Sequence, residues 1–291
     1  MRVGVTIDPG ADTPAIDGVR RQAEAAAEVG LDLAWVREGS PGSTAASSAT
    51  TLAAVVGAVT DRMRVAVQVG IGDHPVELAE ELTVADLTIG GRLSAIVDAR
   101  DGPDAGVDVL EETLTVLCAA LAPVPFEHQG PRWTVNAGGP VSVTPEPAQL
   151  ELPIHVLGAA HAAVARSHGV PPIIDINEDA DHAARVWEAL SASLGVARHR
   201  WARVARRDPT VHANTDAAVA SLRREAATWA LGTVVYDLAR LPSLDDRLDL
   251  IGWLGRNVRP RVQLASLPDG VEAMWVRRAG SPSAIAHGDA P

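Results

Sequence analysis

The chain has 291 residues, 47% of them apolar and 21% charged, which excludes a disordered or fibrous protein and leaves room for one large domain or two small ones. A net charge of −12 disfavours binding to a phosphate backbone, and because all 25 basic residues are arginine, lysine Schiff bases and P-loop lysines are excluded too. The longest apolar runs, such as 116–122, fall well short of the roughly 18 residues that span a bilayer. MRVGVTIDPG has neither a basic nor an apolar leader region, so a cytoplasmic chain with no membrane segment is expected.

In chain order, 2–7 is a β-branched run that predicts a first strand, and 13–29 repeats Ala, Ile and Val at helical spacing between Pro14 and Gly30. LDLAWV predicts a second strand, 50–60 a helix, and RVAVQVGI an apolar strand of the kind buried on both faces. Helix 75–87, strand LSAIV and helix 106–122 follow, the last holding the lone Cys118. The segment 123–153 carries seven prolines, from Pro123 to Pro153, and reads as an excursion at a barrel rim, with extended pieces PRWTV and PVSVTP. PIHVLG predicts strand five and AAHAAVARSHG its helix. Beyond it the pattern weakens through PPIIDI, a helix at 178–194, RWARVARRDPTVHA of undecided type, a helix at 215–231, the strand TVVYDLA and a helix at 244–256, before a tail set at 258–291.

Strands alternating with helices predict right-handed βαβ units and a parallel sheet. The expected fold is a single α/β domain, a (β/α)₈ TIM barrel over 1–291, shortened or degenerate in its second half. A doubly wound open sheet is the alternative, but no G-x-G-x-x-G follows the first strand, where the turn reads IDPGAD.

Three stretches carry a resemblance: AEAAAEVGLDLAWVREG, TLAAVVGAVTDRMRVAVQVGIGDHPVELAEELTVADLTIGGRL and LPIHVLGAAHAAVA. The middle one is the most specific, ending in its Gly-Gly-Arg-Leu turn. Together they resemble the bacterial-luciferase-like superfamily of flavin- and deazaflavin-dependent oxidoreductases over residues 1–165, with a weak echo in DLARLPSLDDRLDLIGWLGRNVRPRV. The resemblance implies a TIM barrel that holds reduced FMN or reduced deazaflavin at the C-terminal ends of its strands and dimerises through early helices.

In a TIM barrel the chemistry sits on the loops after the strands. That rule selects Asp8, Glu38, Gly70 with Ile71 and His74, Asp98, Gly158 and Asp237. By the resemblance, Gly70 and Ile71 lie against the cofactor ring, and the missing β-carbon of Gly70 permits close approach. Gly158, Ala159, Ala160 and His161 open the helix after strand five, where the family binds the cofactor phosphate. Ala160 replaces the serine usual there, a loss of about 1.5–3 kcal/mol if the hydroxyl bonds a charged group. Strand four departs from the family's small residues, because Ile96, Asp98 and Arg100 narrow the cavity. Asp98 thereby enters the cofactor-lining set.

His74 and Glu38 are the acid–base candidates, Glu38 lying near a position where the family often places histidine. The order Asp73, His74, Pro75, Glu77 also reads as a capped helix start. His155, His161 and His168 lack metal-ligand spacing, so no metal is expected. Two functions follow. One is an oxidoreductase or monooxygenase acting on a small organic substrate with reduced FMN or deazaflavin, as a homodimer. The other is a non-catalytic paralogue that serves as a binding protein or as one half of a heterodimer with an active relative.

Overall fold

The computed structural model describes residues 1–9, 15–37, 48–99, 106–136, 138–158, 161–175, 204–207, 214–229 and 232–263. Eight parallel strands close on themselves: β1 (Arg2–Ile7), β2 (Leu33–Val36), β3 (Arg64–Gly70), β4 (Leu93–Asp98), β7 (Ile154–Leu157), β8 (Pro172–Asp175), β9 (Val204–Arg207) and β10 (Thr233–Tyr236), with β10 pairing back to β1. The fold is therefore a TIM barrel. The second half is not short of strands: the undecided stretch RWARVARRDPTVHA supplies β9. The expected helix at 178–194 lies outside the described residues.

The strands whose side chains are described sort them by period two. Val3, Val5 and Ile7 of β1 face the helix layer and are fully buried, while the alternate residues face the barrel interior. That interior is a separate apolar cluster of Leu33, Trp35, Ala66, Ile96, Leu157, Ile173 and Val235. It is a packed core, as barrels of this size require.

The described helices are α1 (Ala15–Glu28), α2 (Ala49–Ala58), α3 (Pro75–Thr88), α4 (Val107–Leu121), α5 (Ala162–Ser167), α6 (Thr215–Trp229), α7 (Leu244–Trp253) and α8 (Arg259–Gln263). A π-helical stretch, Leu254–Val258, joins α7 to α8. Val258 and Val262 are fully buried, so the chain stays in the fold through Gln263, past the start expected for the tail. Among the described residues no helix is long and apolar enough to cross a membrane.

The proline-rich excursion leaves α4 at the floor of the barrel and climbs its flank. A short hairpin, β5 (His128–Gln129) with β6 (Thr134–Val135), is anchored by Glu112 of α4. The Glu112 carboxylate accepts from the Trp133 N–H at 2.8 Å and the Arg132 N–H at 3.2 Å, and His128 Nε2 lies at 3.1 Å. Burial draws the Glu112 carboxyl upward, but these hydrogen bonds outweigh it and hold the group below the usual carboxylate range. Trp133 then meets the ring of His74 edge-on, with centroids 5.0 Å apart.

Candidate functional site: the barrel mouth

The C-terminal mouth divides into two sectors. One, over β10, β1 and β2, is closed by charge. Asp8, just past β1, accepts from Arg247 of α7 at 2.6 Å and from Arg37 at 3.3 Å. Arg37 also reaches Asp237, just past β10, at 3.3 Å. Thr6 donates to Asp237 at 3.1 Å and accepts the Leu238 N–H at 2.8 Å. Asp8 and Asp237 are 4% and 6% exposed, so both strand-end carboxylates are spent on closing the sheet. Arg37 and Arg247 went unnoticed in the sequence, because nothing local marks a residue whose partner is 239 positions away.

The other sector, over β3, β4 and β7, is bare among the described residues. Gly70 ends β3 in register with Asp98 of β4. A β-carbon on Gly70 would meet nothing closer than the Gly72 nitrogen at 4.0 Å, and one on Gly72 would meet nothing within 4 Å. Among the described residues, room is therefore left above the end of β3. Gly158 follows β7 with φ +99°, a conformation that side chains resist.

The remaining candidates occupy varied places. Ile71 is 1% exposed and its side chain belongs to the helix-facing core, so only its backbone borders the mouth. Asp98 is 1% exposed and accepts from Gln68 Nε2 at 2.8 Å, while Gln68 Oε1 accepts from Trp35 Nε1 at 3.0 Å. This Trp35–Gln68–Asp98 chain lines the wall beneath the bare sector. Ile96, also 1% exposed, fills the layer below and does not reach the rim.

His74 caps α3: its Nδ1 accepts the Val76 N–H at 3.3 Å, ahead of Pro75 at the first helical position. His161 lies beside the Gly158 turn, its N–H donating to the Gly158 carbonyl at 3.3 Å, while the Gly158 N–H donates to Ile173. Those two donors are already used, and α5 is only six residues long. Glu38, Arg100, Ala159 and Ala160 lie outside the described residues. No cluster of His, Cys, Asp or Glu suited to a metal ion occurs among the described residues.

The model for the family described as luciferase-like monooxygenase matches residues 1–288. The chain belongs to that family. No curated protein sequence matches it. Among solved structures, the monooxygenase RslO1 from Streptomyces bottropensis superposes with a TM-score of 0.73 at 15% identity, covering 89% of this chain and 99% of that one. The oxygenating constituent of 3,6-diketocamphane monooxygenase from Pseudomonas putida, solved in complex with FMN, gives 0.68 at 14%, covering 92% and 99%. The coenzyme F420 dependent tetrahydromethanopterin reductase from Methanopyrus kandleri gives 0.66 at 14%, covering 90% and 100%. At these identities the likeness is one of fold.

In this luciferase-like barrel, the stretch that carries the resemblance most specifically is structural. Arg92, of the Gly-Gly-Arg-Leu turn, donates to the carbonyls of Ile89 at 2.8 Å, Met63 at 2.8 Å and Gly57 at 3.1 Å. It thereby ties three elements together at the floor. Asp86, fully buried, accepts from the Leu93 N–H at 3.2 Å and from the backbone and side chain of Gln149 at 3.1 and 2.8 Å. The motif holds the excursion and β4 to α3, at the end of the barrel opposite the mouth.

Proposed function

We propose that this luciferase-like protein binds reduced FMN or a reduced deazaflavin across the bare sector of the mouth and uses it to hydroxylate or reduce a small organic substrate. The observation that carries the reading is the space that the described residues leave unfilled above Gly70 and Gly72, beside a mouth sector closed by ion pairs. No β-carbon on Gly70 stands in the way of a flat ring, and Gly158, two strands away, has none either. When bound, the reduced cofactor supplies the reducing equivalents; in a hydroxylation dioxygen would supply the inserted oxygen atom, its other atom leaving as water. The chain's own part is to seat the ring against the end of β3, to keep the wall below it dry through Ile96 and Trp35, and to hold the Asp98 carboxylate through Gln68. The described residues offer less to the phosphate, because α5 is only six residues long and the Gly158 and His161 N–H groups are both engaged.

A second reading rests on its own observation. Asp8, Asp237, Asp98 and His74 are each engaged within the fold, which favours a barrel without turnover, paired with an active paralogue. Titration with FMN, reduced FMN and reduced deazaflavin, followed by tryptophan quenching, separates the two. Trp35, fully buried below the mouth, serves as the reporter. Micromolar binding of one cofactor, weakened about tenfold or more in Gly70→Val without loss of melting temperature, is expected; tenfold corresponds to about 1.4 kcal/mol. An unchanged dissociation constant in that variant removes the cofactor from β3. No binding at all, with stable association to a co-expressed homologue, establishes the second reading instead.

A further inference from the structure

Gln68 stands partly open in the barrel interior below the bare sector. Alternation along β3 puts Ala66, Gln68 and Gly70 on the inner face, because Val65, Val67 and Val69 belong to the helix-facing core. Gln68 is half-buried, as is Gly70 above it. Its neighbours are shut off: Trp35 and Leu157 are fully buried, and Ile96 and Asp98 are 1% exposed.

The hydrogen bonds of Gln68 use only part of its amide. A primary amide has two N–H donors and a carbonyl oxygen with two lone pairs. Trp35 Nε1 donates to Oε1 at 3.0 Å, and Nε2 donates to the Asp98 carboxylate at 2.8 Å. An indole N–H only donates, so the amide is held in one sense, its oxygen toward β2 and its nitrogen toward β4. Trp35 and Asp98 each have further contacts within the fold. Gln68 keeps one N–H and one oxygen lone pair without a partner among the described residues. Both belong to a half-open group beneath a glycine whose missing β-carbon leaves space.

We propose that Gln68 is a ligand-contacting residue that orients the ring in the mouth, pairing with a ligand edge that carries a carbonyl next to an N–H. This rests on the reading that a flavin or deazaflavin sits against the end of β3. The spare N–H calls for an acceptor and the spare lone pair for a donor. A lactam or imide edge supplies both side by side, whereas a hydrocarbon edge or a lone carbonyl leaves at least one unmet. The pyrimidine half of flavins and deazaflavins alike carries such an imide, so the pairing serves either cofactor and states which end of the ring turns toward the barrel interior. Trp35 and Asp98 set the amide in advance, so little side-chain ordering is left to the binding step.

The test is an anaerobic calorimetric titration of the full chain with reduced FMN and reduced deazaflavin, and with the analogue of each that carries a methyl group on the imide nitrogen. The parent is expected to bind the unmethylated cofactor about tenfold or more tightly, since a site built to hydrogen-bond an N–H rejects the analogue lacking it. Gln68→Met keeps the length of the side chain without its hydrogen bonds, and there the preference is expected to fall below about threefold. Should Gln68→Met fail to show a cooperative melt, Gln68→Asn, which withdraws the amide by one methylene, is expected to lose the preference in the same way. A preference that survives in either folded variant is steric and overturns the proposal. Equal affinity of the parent for the methylated and unmethylated forms overturns the pairing and leaves the cofactor reading standing. Absence of binding by either cofactor overturns both.

Discussion

His74 shows how one side chain can answer to two accounts. Its Nδ1 is the acceptor that caps α3, and its ring edge rests on Trp133, so its first duty is to fix where the helix begins. His74→Ala is expected to cost about 1 kcal/mol in urea denaturation. His74→Asn, which restores a capping oxygen, is expected to recover most of that stability. If turnover is detected, full activity in His74→Asn assigns the histidine to the helix alone, whereas retained stability with lost activity makes it an acid or base. Gly158 was legible as a strand-ending glycine, and its φ of +99° makes every substitution there strained whatever the ligand does. Gly70, with open space and extended backbone, is the cleaner probe of the mouth. What the sequence hid at this scale were the partners: nothing local joins Asp8 to Arg247, or Gln68 to both Trp35 and Asp98.

Among the elements, those of the first half were readable because periodicity and punctuation agree there: Pro75 opens α3, and Gly30, Gly90 and Gly91 turn the chain with positive φ. Beyond 165 the cues weaken. PIHVLG and TVVYDLA still read as the strands they form, but β9 mixes arginine into a four-residue run and its stretch is of undecided type. The excursion returns to the barrel at Gln149, which donates to Asp86 through both its backbone and its side chain. Asp86 fastens that return. Asp86→Ala leaves the buried Leu93 N–H and the half-buried Gln149 N–H without this acceptor, while Gln149 Nε2 keeps the Leu93 carbonyl, and is expected to destabilise the protein by roughly 2 kcal/mol. Hydrogen exchange should speed up at Leu93 and Gln149 together, and protection unchanged at both amides would show that α3 does not hold the two segments. It also follows why kinship was easier to read than chemistry: Arg92 and Asp86 mark the family while stabilising the end of the barrel far from any proposed reaction.

Across the whole molecule, one buried histidine makes stability depend on pH. His155 of β7 faces the barrel interior in register with Ile96, its Nδ1 has no hydrogen-bond partner, and burial pushes its pKa from 6.5 down to about 4. The unfolded chain takes up this proton near pH 6.5 and the folded chain only near 4. Stability is therefore complete above 6.5 and declines as pH falls through that window, by roughly 3 kcal/mol in all. Against a typical total of about 5–15 kcal/mol that is a large share. Urea midpoints measured between pH 7 and 5 are expected to fall in the parent and to flatten in His155→Leu, and parallel pH profiles would place the dependence elsewhere.

The pairing of β1 with β10 and the Asp8–Arg247 bridge join residues more than 200 apart, and so they impose an order of events on synthesis. While the chain emerges from a ribosome, β1 can find β2 almost at once, yet its opposite edge keeps unpaired amides and carbonyls until Tyr236 is free. For most of translation the nascent sheet is an open ribbon with a sticky margin, the arrangement that invites misassembly with neighbouring chains. A circular permutant that places 232–263 ahead of residue 1 would bring that margin its cover at the outset, without moving a single residue of either end of the barrel.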